Sequence, residues 1–196
     1  MVTLPPGRSA RKGKSVVCLE VLWLTSAWRI MKIISGGQTG VDRAALDVAI
    51  ERGMDWGGWC PKGGWAEDLP DPPGLLGRYP RLKETPLANP VQRTEWNVRD
   101  SDAALIVTTG EGLGVSIGTR RAHRWAHQHG KPELVVTVDM SDAVARATAW
   151  LVAQRKRFGP YMTLSVGGPR ESEAPGIYAR ARLLIAGVLD ALEQSP

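Results

Sequence analysis

The chain has 196 residues, of which 43% are hydrophobic and 23% charged. This composition is typical of a globular protein with one sizeable core. Five basic residues and one acid in residues 1–30 account for +4 of the net charge of +5, so the remainder is near neutral and is not expected to bind nucleic acid. Two cysteines are too few for a disulfide framework, and we expect a cytoplasmic protein.

Residues 1–30 resemble a signal peptide, because a basic run precedes the apolar stretch SVVCLEVLWLTSAW. Glu20 interrupts that stretch, which is too short to span a bilayer, and no small-residue cleavage site follows. We therefore expect residues 1–30 to be a non-native upstream extension before a start at Met31. The alternative is a disordered basic arm. Residues 31–196 are expected to form a single domain with no membrane partner.

The stretch SGGQTGVDRAALD (35–47) follows a short apolar run, residues 31–34, that predicts a buried strand. After the glycines, the apolar positions fall on one helical face: Val41, Ala44, Ala45, Val48 and Ala49. A Gly-rich turn before a helix brings backbone N–H groups close to a ligand and favours phosphate. The alternative is a tight turn with no ligand. The spacing matches neither the dinucleotide-binding motif nor the P-loop.

Strands and helices are predicted to alternate along the rest of the chain. Further strands are expected at 57–60, 103–107, 134–138 and 163–166, and Asn89-Pro90 should begin a helix that runs to about Asp100. The last helix has one apolar face: Ile177, Ala181, Leu184, Ile185, Val188 and Leu192. The alternation predicts an α/β, Rossmann-like parallel sheet with helices on both faces. The Pro- and Gly-rich stretch 60–80 is expected to be a functional or disordered loop.

Three Gly-rich loops, residues 35–40, 108–119 and 167–176, follow predicted strands. Ligands of parallel sheets bind outside the carboxyl ends of the strands, so these loops are expected to converge. Together they indicate a ligand with an anionic group and an extended body.

Four motifs together resemble the molybdenum cofactor carrier family: SGGQTGVDRAALD, CPKGGWAED (60–68), RTEWNVRDSDAALI (93–106) and GGPRESEAPGIY (167–178). That family belongs to a Rossmann-like superfamily shared with the lonely-guy phosphoribohydrolases and the DNA-processing protein DprA. The resemblance runs from about Met31 to Leu192. It implies a cytoplasmic homodimer or homotetramer that binds the molybdenum cofactor (molybdopterin), a pterin dithiolene bearing a phosphate. The cofactor would pass to molybdoenzymes or cofactor-biosynthesis proteins.

The candidate cofactor-binding residues lie on the loops and the adjoining helices. They are Gly36, Gly37, Gln38, Thr39, Gly40, Arg43, Lys62, Gly63, Asn97, Gly110, Gly118, Thr119, Gly168, Arg170, Glu171 and Ser172. Arg43 has an alternative partner in Asp47, one helical turn away. Arg170 and Glu171 have the alternative of an ion pair within their loop. Trp59, Trp65 and Trp96 are candidates for stacking on a pterin.

The leading alternative is a phosphoribohydrolase that cleaves nucleoside 5′-monophosphates. Such enzymes carry P-G-G-x-G-T-x-x-E, and alignment on Gly118-Thr119 puts Ala122 at the position of the catalytic Glu. A methyl group does no acid–base work, so no catalytic residue is expected. The carrier family tends to have a Gly-Gly-Thr element in this loop, where the present sequence has Ile117-Gly118-Thr119, and the Ile117 side chain narrows the approach to the backbone. A nucleotide-sensing module is a third possibility, since fold does not fix function.

Two further features favour structural roles. His123 and His127 have the i,i+4 spacing that zinc sites use, but no third ligand is nearby in the sequence and three arginines surround them, so no metal is expected. Cys60 is expected to be a small packed hydrophobe rather than a reactive thiol.

Overall fold

The computed structural model describes residues 31–194, so the predicted extension 1–30 lies outside the described residues. In this part of the chain the strands are β1 Lys32–Ile34, β2 Asp55–Cys60, β3 Leu82–Glu84, β4 Ala103–Thr108, β5 Glu133–Thr137 and β6 Thr163–Gly167. The helices are α1 Val41–Glu51, α2 Leu75–Arg78, α3 Pro90–Arg99, α4 Ile117–Gln128, α5 Ala143–Phe158 and α6 Ile177–Glu193, with a 3₁₀ turn at Gly112–Val115.

The six strands form one parallel sheet in the order β3-β2-β1-β6-β4-β5. The first and last strands are therefore neighbours at its centre. The chain moves outward from β1 through β2 to β3 on one side and from β4 to β5 on the other. The predicted Rossmann-like α/β fold is confirmed. Within residues 31–194, no helix is long and apolar enough to cross a membrane.

Alternate residues of β4 show how the two faces of the sheet are covered. Ala103, Leu105 and Val107 belong to the main core, which also contains the apolar faces of α1, α5 and α6. Ala104, between them, packs instead with Val98 of α3 and Ala126 of α4. Successive side chains of a strand point to opposite faces, so helices cover both sides of the sheet.

The sequence correctly predicts several helix faces and one helix start. The five apolar positions predicted on α1 and the six predicted on α6 are all buried. Asn89 caps α3 by accepting a hydrogen bond from the Val91 N–H at 3.0 Å, with Pro90 at the first helical position. These positions obey local rules that need no tertiary information.

The stretch 60–80 differs from the sequence prediction of a functional or disordered loop. It contains α2, and β3 follows immediately. Leu75 and Tyr79 are fully buried with Leu46, Cys60 and Leu82 in a second small core. Elements of three and four residues are too short to leave a periodic pattern in the sequence.

Candidate functional site

A cleft with a volume of about 330 Å³ lies between α3 and α4, over β4 and β6. We call it the α3–α4 cleft. It is bounded by α3 from Pro90 to Val98, by α4 from Ile117 to Ala122, and by the segments that follow β1 and β6. It lies at the carboxyl ends of β1, β6 and β4, where the chain diverges to the two halves of the sheet. Parallel α/β sheets bind their ligands at this kind of position.

The N-terminus of α4 forms one wall of the α3–α4 cleft. Ser116 caps the helix by accepting a hydrogen bond from the Thr119 N–H at 3.3 Å. The remaining N–H groups of the first turn have no acceptor within the helix. The Thr119 hydroxyl is buried and has no hydrogen-bond partner among residues 31–194. A buried, unsatisfied hydroxyl beside free N–H groups is suited to an anionic ligand.

Charged groups in the α3–α4 cleft leave one arginine unpaired. Asp42 accepts a hydrogen bond from Arg93 at 2.6 Å, and Glu173 accepts one from Arg170 at 3.1 Å. Arg121 is exposed on α4 and has no acidic partner among residues 31–194. The cleft therefore carries one net positive charge close to the α4 N-terminus.

Apolar groups complete the walls of the α3–α4 cleft. Trp65 and Val91 are half-buried there, and Ile117 is exposed over the helix N-terminus. Ala104 and Ile106 provide part of the floor. A flat body with an anionic end fits this combination of surfaces.

The glycines of the SGGQTG turn contact protein atoms closely. A Cβ added to Gly36 would lie 2.1 Å from the nearer guanidinium nitrogen of Arg93, and one added to Gly168 would lie 2.1 Å from the Val107 carbonyl oxygen. Gly40 has φ 76°, and its Cβ would lie 2.3 Å from the Pro169 carbonyl oxygen. Gly37 has φ 70° and faces Leu82 and Leu75. Close packing therefore explains the three glycines of this turn and also Gly168 of the loop after β6.

Thr39, Arg43, Glu171 and Ser172 line a different cavity, which we call the α1–α6 cavity. It has a volume of about 680 Å³ and also includes Gly40, Glu67, Asp68, Arg78, Gly176, Tyr178 and Ala179. Arg43 makes a bidentate ion pair with Asp68, with its second bond at 2.9 Å, instead of the predicted alternative with Asp47. Glu67 accepts hydrogen bonds from the hydroxyls of Thr39 and Ser172.

Two carboxylates of the α1–α6 cavity are held in their ionised form. The hydrogen bond from Arg43 holds the pKa of Asp68 below its ordinary value of 3.8. Burial opposes ionisation of Glu67, but hydrogen bonds from Ser172 and Thr39 hold its pKa below the ordinary 4.5. These contacts join the loop after β2 to the turns after β1 and β6.

The Arg43–Asp68 pair gives a testable contribution to acid stability. Because the pKa of Asp68 is lowered on folding, its stabilisation is present above the ordinary pKa of 3.8 and is lost as the pH falls through the lowered value. Asp68→Asn should lower the free energy of unfolding at neutral pH by about 1–2 kcal/mol, a value reduced for the partial exposure of Asp68. Urea denaturation at several pH values should show this deficit shrinking below about pH 4. A deficit that is constant with pH would contradict the assignment.

The third predicted loop is also held by its own contacts. Arg170 forms an ion pair within the loop, but its partner is Glu173 and not the neighbouring Glu171, and its guanidinium also lies 3.6 Å from Glu67. Glu171 accepts hydrogen bonds from the N–H groups of Gly176 and Tyr178 at the start of α6.

Four other predicted residues have protein partners or lie away from both cavities. Asn97 lines the α3–α4 cleft, yet both of its amide atoms bond to the Trp59 backbone, at 2.8 and 2.9 Å. The N–H of Gly63 donates to Glu84, and that of Gly110 donates to Asp139 at 2.9 Å. Lys62 is exposed outside both cavities.

The structure thus divides the predicted set of site residues. Seven of them line the α3–α4 cleft: Gly36, Gln38, Asn97, Gly118, Thr119, Gly168 and Arg170. Arg121, Thr94 and Ser116 also line it but were not among the predicted residues. The second Gly-rich loop was the signal for Ser116 and Arg121, since a serine before a helix is a recognisable cap. Ligand binding by all of these residues remains a prediction.

Cys60 and the stacking candidates take the following positions. Cys60 is fully buried, and burial raises the pKa of its thiol to about 11, so it is a packed hydrophobe as predicted. Trp65 lines the α3–α4 cleft, whereas Trp59 and Trp96 contact each other edge to face, with ring centroids 4.7 Å apart.

The prediction that no third ligand accompanies His123 and His127 is wrong. Glu133, the first residue of β5, lies 2.6 Å from His123 Nδ1 and 3.0 Å from His127 Nε2. Sequence spacing missed this contact because a turn returns the chain from α4 to the start of β5.

Comparisons with known proteins agree with this fold. The model of the circularly permutated YpsA SLOG family matches residues 33–189. The crystal structure of the "Putative molybdenum carrier protein" from Syntrophus aciditrophicus SB is 38% identical in sequence, with a TM-score of 0.70. The match covers 81% of this chain and 94% of that one. A search of curated proteins gives no significant match. The resemblance predicted from the four motifs is confirmed.

Proposed function

Because the chain belongs to the circularly permutated YpsA SLOG family, we propose that it is a molybdenum cofactor carrier whose ligand occupies the α3–α4 cleft. The relative with a molybdenum carrier name supports the general role. The observation that carries the choice of cleft is the α4 N-terminus, where free N–H groups, the unpartnered Thr119 hydroxyl and the unpaired Arg121 lie together.

The phosphate of the cofactor is assigned to this helix N-terminus. The helix dipole and the first-turn N–H groups favour a negative charge there. Gly118 leaves the approach open, since a Cβ added to it would meet only the Ser116 hydroxyl, at 3.4 Å. The helix N-terminus carries only a partial positive charge, and the Arg121 guanidinium would add a full one beside the phosphate. The Thr119 hydroxyl would donate a hydrogen bond to a phosphate oxygen and so gain the partner that it lacks.

The pterin body is assigned to the apolar walls of the α3–α4 cleft. Trp65 offers an aromatic surface near α3, and Val91 and Ile117 border the opening. Burying the ligand there would shield an oxygen-sensitive compound from solvent. Transfer to apo-enzymes or biosynthesis proteins, a cytoplasmic location and a homodimeric or homotetrameric assembly are parts of the same proposal.

The carboxylates of the α3–α4 cleft favour a carrier over a phosphoribohydrolase. Ala122 lines the cleft at the position where that motif has its Glu. Asp42 is paired with Arg93, and Glu173 bonds both the backbone and the side chain of Arg170. No unpaired carboxylate lines the cleft within residues 31–194, so none is available for cleavage of a glycosidic bond.

Two measurements on the full-length protein test the proposal. Native mass spectrometry of anaerobically purified protein should detect a bound phosphorylated pterin. Incubation with nucleoside 5′-monophosphates should release no free base above the rate of a protein-free control. Release in proportion to protein concentration, with no bound pterin, would replace the carrier proposal with the hydrolase.

A further inference from the structure

A second group of side chains with ligand chemistry lies outside both cavities. His123 and His127 stand one turn apart on α4, and their rings are 4.6 Å apart at an interplanar angle of 83°. Both imidazoles reach the same carboxylate oxygen, Oε1 of Glu133 on β5. One ligand atom from each of the three residues lies within 4.8 Å of the others.

Hydrogen bonding does not satisfy this group. His123 Nδ1 is buried and makes no hydrogen bond, although Glu133 Oε1 is only 2.6 Å away. The oxygen therefore lies off the direction in which the ring nitrogen donates or accepts. Glu133 Oε2 is also buried and has no partner. Two buried, unsatisfied polar atoms in one cluster call for a missing partner such as an ion.

A metal ion between the three residues would give His123 Nδ1 the partner that it lacks and would neutralise the charge of the buried Glu133 carboxylate. The ion would lie along the direction of the His123 Nδ1 lone pair. The Glu133 carboxylate would bind the ion from a different direction, as tetrahedral coordination requires. Ligand atoms about 2.0–2.1 Å from a tetrahedral ion lie roughly 3.3 Å from one another. The separations from Glu133 Oε1 are shorter, 2.6 Å to His123 Nδ1 and 3.0 Å to His127 Nε2, so the ligands would move apart as the ion enters. His127, whose side chain is 66% exposed, has the freedom to move outward.

We propose that His123, His127 and Glu133 form a binding site for a divalent transition metal, with Zn²⁺ as the best match. Two imidazoles and one carboxylate are a zinc donor set that leaves one coordination position open. The i,i+4 histidines share a helix face, and Glu133, only 14% exposed, lies on a strand. Bound metal would link α4 to β5. Arg120, Arg121 and Arg124 on the same helix should weaken the affinity by repulsion.

Metal titration of the tag-free, chelator-treated, full-length protein tests this site. The three histidines at positions 123, 127 and 129 are all that the sequence contains, which makes the control simple. Co²⁺ should bind one per chain, with ligand-field bands of a tetrahedral site and no thiolate charge transfer, and Zn²⁺ should displace it. His123→Ala, His127→Ala and Glu133→Gln should each weaken binding at least tenfold. The His129 side chain lies near Glu95 and away from this group, so His129→Ala should bind metal like the unaltered protein.

The control for folding is the circular dichroism of each variant without metal. His127 is mostly exposed, so His127→Ala tests the site even if replacement of a more buried ligand disturbs the fold. Lack of Co²⁺ and Zn²⁺ binding by the unaltered protein would overturn the proposal. Equal binding by His127→Ala and the unaltered protein would do the same.

Discussion

Arg93→Met is expected to lower the free energy of unfolding at neutral pH by about 3 kcal/mol or more. The Asp42 side chain is only 6% exposed, and Arg93 lies 2.6 Å from it as its ion-pair partner. Burial raises the pKa of Asp42, and the Arg93 guanidinium opposes that rise. Without Arg93, the buried carboxylate would lose its ion-pair partner and keep only the Gly168 backbone hydrogen bond and the more distant charge of Arg43, so its pKa would rise further.

The pH dependence of Arg93→Met follows from that rise. A carboxyl group whose pKa is raised on folding stabilises the folded protein while it is protonated. This stabilisation is lost as the pH rises through the folded-state pKa. The loss of unfolding free energy in Arg93→Met, measured by urea denaturation, should therefore grow with increasing pH. Asp42→Asn combined with Arg93→Met should recover much of the loss, since it removes the buried charge. A double variant as unstable as the sum of both single changes would contradict this account.

Gly40→Ala is expected to cost about 3 kcal/mol of unfolding free energy. Gly40 has φ 76°, and the added Cβ would lie 2.3 Å from the Pro169 carbonyl oxygen. Backbone atoms cannot move away as cheaply as the end of a flexible side chain. The turn after β1 and the loop after β6 would have to separate.

Gly53→Ala is the matched control for Gly40→Ala. Gly53 follows the other end of α1 with φ 63°, but a Cβ there has no atom within 4 Å. Its expected cost is the conformational strain alone, about 1 kcal/mol. Thermal denaturation of both variants measures the difference. Equal losses would show that the contact with Pro169 contributes nothing.

Much of the fold follows from local patterns in the sequence. The buried faces of α1 and α6 obey helical periodicity, and the start of α3 obeys capping rules. The elements α2 and β3 could not be predicted, because each is held by burial against Leu46 and Cys60, which are distant in sequence. Short elements depend on such tertiary contacts more than on propensity.

The candidate site was harder to predict for a related reason. Glycine serves equally where a ligand approaches the backbone and where protein atoms approach it. In SGGQTG, protein atoms fill that space at Gly36, Gly37 and Gly40, whereas Gly118 of the second loop is open. The sequence does not show which case applies. Nor does it show that Arg43 has Asp68 as a partner while Arg121 has none among residues 31–194.

The most direct test of the central claim is the affinity of two arginine variants for isolated molybdenum cofactor, titrated anaerobically. Arg121 lines the α3–α4 cleft, and Arg124 lies three residues further along α4, outside the cleft lining. Both changes to methionine remove one positive charge from the same helix. Arg121→Met should weaken binding about tenfold or more, equivalent to about 1.4 kcal/mol, and Arg124→Met should change it by less than about twofold. Equal affinities for the two variants, or no binding by the unaltered protein, would contradict the assignment of the ligand to the α3–α4 cleft.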